Sequence, residues 1–164
     1  MPVKQIVFAL VTFLHDLFTV VWVGGLITLG LTVLPSARQV LGQGSQMKKL
    51  MDTIQKRLSV LVYVSIVGLV LTGLLLSNRS PAFQGIFRFG NAYSAVLTLK
   101  HVLVLVMVAV ALVRSLVLGR RSGPSTPSQK RMSAGLLFLN IALGVAVLLL
   151  SGFSAALSSG MPPG

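Results

Sequence analysis

The chain is built of long apolar runs separated by short polar segments, with neither the strict alternation of half-buried strands nor the narrow stripe of soluble helices. Four runs reach the ~20 residues that a helix needs to cross the hydrocarbon core of a bilayer: residues 5–34, 58–77, 92–118 and 132–157. Pro35 is expected to stop the first, because proline cannot continue a helix. The second starts amphipathically at Gln46. Its first turns, "MKKLMDTIQKRL", carry four basic residues and are expected to lie at headgroup level. The segment "SNRSP" closes the second run. The third ends on "GRRSGPSTPSQKR", read as a polar loop from its Ser, Pro and Gly. The final "SSGMPPG" reads as a frayed end. The pattern predicts an all-α integral membrane four-helix bundle in one transmembrane domain, 1–164, with a short amphipathic extension before the second span.

Composition agrees. Of the 164 residues, 54% are hydrophobic and 10% charged, against ~25% charged in soluble domains. No repeat of 20–50 residues appears. The first apolar run is too long for a signal-peptide core and reads as a retained span. With no cysteine, disulfides, thiolate metal sites and cysteine nucleophiles are excluded. The net charge of +12 does not mark a nucleic-acid binder, because the basic residues cluster between apolar runs, where lipid headgroups account for them.

That clustering also sets a topology. One side carries Arg38, Lys48, Lys49, Lys56 and Arg57, then Arg114, Arg120, Arg121, Lys130 and Arg131; the other has Lys4, Arg79 and Arg88. The positive-inside rule predicts that both termini face outward (N-out/C-out) across the inner, cytoplasmic membrane. Phe83, Phe87, Phe89 and Tyr93 would then form an aromatic belt at the outer interface.

Four ionisable side chains interrupt the spans: His15 and Asp16 in the first, Lys100 and His101 in the third. Such groups are costly in hydrocarbon and usually face other helices, paired or functional. Each pair lies about ten residues from the outer end of its span, about 15 Å deep at 1.5 Å per residue. The orders His-Asp and Lys-His also complement each other. On neighbouring parallel helices, an Asp16–Lys100 ion pair leaves both imidazoles pointing to one side, given about 100° per residue. Two readings stay open: a structural ion pair with histidines in helix contacts, or a ligand site in which His15 and His101 bind a metal. Imidazole suits both haem iron and copper.

The surroundings of His15 suggest a large flat ligand, because Phe8, Val11, Thr12, Phe18, Thr19, Trp22, Gly25 and Leu26 share its face. These side chains would line a macrocycle or pack on other helices. His101 shares its face with Ser94, Leu97, Thr98, Val104, Leu105 and Val108, and Lys100 stands on the stripe Tyr93, Met107, Arg114. Lys100 would receive a propionate or pair with Asp16. Support for copper is weaker, because Met107 lies about 120° off the His101 face and no methionine lies near His15. The glycines at 24, 25, 30, 68, 73, 135 and 144 read as packing positions, and Asn140 as a hydrogen-bonding side chain in the fourth span. Phosphate-loop, zincin and nucleophile-elbow motifs are absent, and no residue is assigned as catalytic.

"FLHDLFTVVWVGGL" and "YSAVLTLKHVLVLVMVAVALVR" resemble the copper resistance protein D family, in which a span-one histidine precedes a Trp-Gly motif and a later helix carries a lysine. The layout is also similar to HemJ-type protoporphyrinogen oxidases, small haem-b membrane proteins with a functional histidine and lysine. The resemblance covers the first and third spans. It implies roles for His15, Trp22, Gly24, Gly25 and Lys100, and none for His101. The expectation is a membrane protein that binds haem b through His15 and His101, with Phe18, Trp22, Gly25 and Lys100 around the cofactor. It would serve electron transfer with a redox partner or within a larger complex. Copper binding or transport is the alternative, and a cofactor-free structural subunit a further one.

Overall fold

The structure, a computed structural model, describes residues 3–77, 92–115 and 126–159. The described elements are all helical. In chain order they are α1 (Val3–Thr19), a π-helical turn (Val20–Gly24), α2 (Gly25–Thr28), a second π turn (Leu29–Val33), α3 (Leu34–Leu41), α4 (Ser45–Ser77), α5 (Ala92–Val113) and α6 (Pro127–Ser159). Four stretches are long and apolar enough to cross a membrane: Val3–Leu41, Ser45–Leu76, Ala92–Val113 and Pro127–Leu157. The protein is therefore a multi-pass membrane protein. The aromatic belt at Phe83, Phe87 and Phe89 and the bases Arg120 and Arg121 lie outside the described residues.

The chain forms two compact units, Met1–Leu76 and Ser77–Gly164. In the first, the helix passes through Pro35 and runs on to Leu41. Proline is tolerated here because it occupies the first turn of α3, directly after a π turn whose bonding has slipped. The Leu34 N–H reaches back five residues to the Leu29 carbonyl, so the ladder is already open where the proline N–H is missing.

The two π turns also keep one face of the long helix in line. Trp22, Val23, Leu26, Leu29, Gly30 and Ala37 are buried. In an ideal α-helix the 15 steps from Trp22 to Ala37 would overshoot four turns by about 60°. Turns closed by i→i−5 bonds take an extra residue each and remove part of that drift.

At the end of α3, Gly42 adopts φ 63°, a positive-φ conformation that costs glycine little, and its N–H caps the Arg38 carbonyl at 3.0 Å. The chain then reverses into α4. Met47 and Met51 bury themselves against Ala37, with Val33, Leu34, Leu41 and Ile54 packed around them. The amphipathic start of α4 is thus continuous with the second span, and its apolar side packs on α3. Arg38, Lys48, Lys49, Lys56 and Arg57 are exposed.

In the second unit α5 packs on α6. Ser94, Thr98 and Met107 of α5 are buried, as are Leu137, Asn140, Ile141 and Val147 of α6. The i, i+3, i+4, i+10 spacing of the α6 set defines its packed face. α6 begins at Pro127, inside the segment read from sequence as loop. The cause is a reciprocal cap. The Gln129 N–H donates to Thr126 Oγ1 at 3.4 Å, and the Thr126 N–H donates to Gln129 Oε1 at 3.1 Å. Threonine at the N-cap, proline at the first helical position and glutamine at the third make a capping box.

Candidate functional site

The first unit holds His15 on the seam between α1 and α4. Phe18 sets the register, because Gly68 of α4 leaves a gap into which the Phe18 ring fits. A Cβ on Gly68 would overlap that ring. One turn toward the N-terminus of α1, His15 meets Thr72, one turn further along α4. His15 Nδ1 lies 2.8 Å from Thr72 Oγ1, and Gly73 is in ordinary contact with the imidazole edge, its ideal Cβ 3.6 Å from His15 Cε1.

The hydrogen-bond direction follows from counting protons. A threonine hydroxyl has one proton, and Thr72 Oγ1 donates it to the Gly68 carbonyl at 2.7 Å, with a longer 3.4 Å approach to the Leu69 carbonyl. Thr72 must therefore accept from His15, so Nδ1 carries the ring proton. In the neutral imidazole the lone pair is then on Nε2. A ring held through N–H by a second residue, with the other nitrogen basic, is the usual arrangement of a metal-ligating histidine. Thr72 is 6% exposed, so this bond is shielded from competing water.

In the second unit His101 reaches the same tautomer differently. Its Nδ1 is 2.7 Å from the Leu97 carbonyl one turn earlier on α5. A carbonyl can only accept, so Nδ1 donates here too, and Nε2 is the basic nitrogen. His101 and Lys100 are half-buried. Met107, on the Lys100 stripe, is 1% exposed. Asn140 is 3% exposed and its Oδ1 has no hydrogen-bond partner.

Asp16 is exposed on α1. It belongs to the first unit and Lys100 to the second. Phe18 packs against Gly68 of α4, and Trp22, one turn further along the first span, is 1% exposed. Gly25 has a packing role as well: an ideal Cβ there would come 2.9 Å from Leu58 Cδ1 of α4. Among the described residues no group of three or more His, Asp or Glu converges as a metal cluster.

Sequence reasoning singled out His15 but not Thr72, its partner. A signal was present, since Ser65 and Thr72 stand seven apart on one face of the apolar second run.

No curated protein and no solved structure matches the chain. A family model, copper resistance protein D, matches residues 52–154, which covers most of α4 together with α5 and most of α6. Thr72, Lys100, His101 and Asn140 fall inside the match, and His15 and Trp22 precede it. Because the match spans more than half of the 164 residues, the chain belongs to the copper resistance protein D family.

Proposed function

We propose that the protein handles copper within the membrane and that His15 Nε2 is a copper ligand on that route. The observation that carries this reading is the chain His15 Nδ1–H to Thr72 Oγ1 to the Gly68 carbonyl. It fixes the tautomer and turns the basic nitrogen away from the bond. Imidazole nitrogen is an accepted copper ligand, and family membership supports copper over other metals. His101 offers a second imidazole in the same tautomer, with Lys100 beside it. Copper is cargo in this reading, because one imidazole per helix pair suits transient binding better than permanent retention.

Haem b is the second reading. It would use the same Nε2 as an axial ligand and serve membrane electron transfer, with a redox partner or a larger complex in the inner membrane. The half-buried His15 above Phe18 and Trp22 favours it. One experiment separates the two: metal analysis and an optical spectrum on protein purified in lipid nanodiscs. Copper binding that is lost in His15→Ala, without a Soret band, supports the first reading. A Soret band lost in the same variant selects the second. Neither copper nor haem uptake would overturn both.

A further inference from the structure

Trp22 and Ser65 are each 1% exposed, and Trp22 Nε1 and Ser65 Oγ are buried without a hydrogen-bond partner. Both belong to the first unit, and along the chain each falls between the residues of two helix–helix contacts. Trp22 falls between Phe18 and Gly25 on the first span, and Ser65 falls between Leu58 and Gly68 on α4. Those four residues are the contacts themselves, Phe18 on Gly68 and Leu58 on Gly25. The indole N–H can only donate, whereas the serine hydroxyl can donate and accept. Helical aromatic side chains lean toward the N-terminus of their helix, which carries the indole toward the Phe18 end, where α4 passes from Ser65 to Gly68.

Two further facts bear on what the orphan groups are for. Leaving a buried donor unsatisfied is destabilising, so such groups ordinarily have a partner. The backbone is also widened at this place, because Trp22 is the middle residue of the π turn Val20–Gly24. Single π turns occur often at functional sites. Neither side chain carries charge, and neither is a good metal ligand, so an ion or copper does not fit. What fits is a neutral acceptor small enough for a packed seam.

We infer that Trp22 and Ser65 form a binding site for one water molecule, which accepts from the indole N–H and hydrogen-bonds the serine hydroxyl. The site is independent of the copper reading, since it uses neither His15 nor Thr72. It stands seven residues from each of them, Trp22 from His15 and Ser65 from Thr72, about 10.5 Å along the helices at 1.5 Å per residue. The seam then holds two polar stations, one occupied by a side-chain pair and the other by water.

Trp22 is the sole tryptophan, so the site has its own probe. Full-length protein labelled with ¹⁵N-tryptophan in nanodiscs gives one indole resonance, and a water-selective cross-relaxation experiment reads what touches its proton. The expected result is a water cross-peak in the wild type that disappears in Ser65→Ala, with a blue shift of Trp22 fluorescence. A wild-type indole proton with cross-peaks only to protein or lipid acyl protons overturns the inference, even if Ser65→Ala does not fold. A water cross-peak of unchanged intensity in folded Ser65→Ala overturns it too, because the serine would then hold nothing.

Discussion

His15 Nδ1 donates to Thr72 Oγ1 across 2.8 Å, and that bond joins two membrane-spanning helices 57 residues apart in sequence. Thr72→Val keeps the shape and removes the acceptor. The His15 N–H is then left unsatisfied, or the ring changes tautomer. We expect a loss of about 1–3 kcal/mol in unfolding free energy, whereas Thr72→Ser stays near wild type. The ¹⁵N shifts of the His15 imidazole should show a protonated Nδ1 and basic Nε2 in wild type and Thr72→Ser, and a changed pattern in Thr72→Val.

The same bond orients the proposed ligand. His15→Ala should abolish copper binding at this site. Thr72→Val should weaken it about 10–100-fold, the usual effect of removing the group that holds a metal-binding histidine. Competition titration of Cu(I) against a colorimetric chelator measures both. Equal affinity in Thr72→Val and wild type would show that tautomer control is irrelevant.

Gly68 is where the Phe18 ring touches α4, and an added Cβ would overlap it. Gly68→Ala should destabilise the first unit by about 1–3 kcal/mol through overpacking, and Phe18→Leu should recover part of that loss. Gly135 is the control, because a Cβ there meets nothing within 4 Å. Thermal unfolding of Gly135→Ala should be unchanged or slightly improved.

The start of α6 depends on Thr126 and Gln129. Thr126→Ala removes the side-chain cap and should cost about 0.5–2 kcal/mol. Hydrogen exchange should report it as faster exchange confined to the first turn of α6, with the span itself unaffected.

Asp16 is an exposed carboxylate in a span long and apolar enough to cross a membrane, and an uncompensated charge in hydrocarbon is costly. The pairing with Lys100 that the complementary His-Asp and Lys-His orders suggest is tested by exchange. Asp16→Lys and Lys100→Asp should each reduce the yield of folded protein, and the double variant should restore it. A double variant no better than either single one would exclude the pair.

The four spans are legible in the amino-acid order because hydrocarbon makes a local demand. About 20 apolar residues suffice to specify a crossing, and His15, Asp16, Lys100 and His101 stand out against that background by rarity alone. Helix ends were harder to read. Pro35 reads as a stop, yet the preceding π turn lets the helix pass through it. The Ser, Pro and Gly around "PSTPSQKR" suggest a loop, although the capping box Thr126–Gln129 is written there.

The partners of the site residues belong to packing. A threonine in a membrane helix can always bond back to its own turn, as Thr12 does to the Phe8 carbonyl at 3.0 Å. Only the seven-residue spacing from Ser65 on one helix face sets Thr72 apart from Thr12 in the sequence. That Thr72 also accepts a hydrogen bond from His15 depends on the Phe18–Gly68 contact, which sets how far one helix slides along the other. Trp22 Nε1 and Ser65 Oγ likewise find no partner within the protein. Hydropathy is a property of each segment alone, so it reaches as far as the spans. A tautomer or an orphaned donor is a relation between two segments, and it exists only once their register is set.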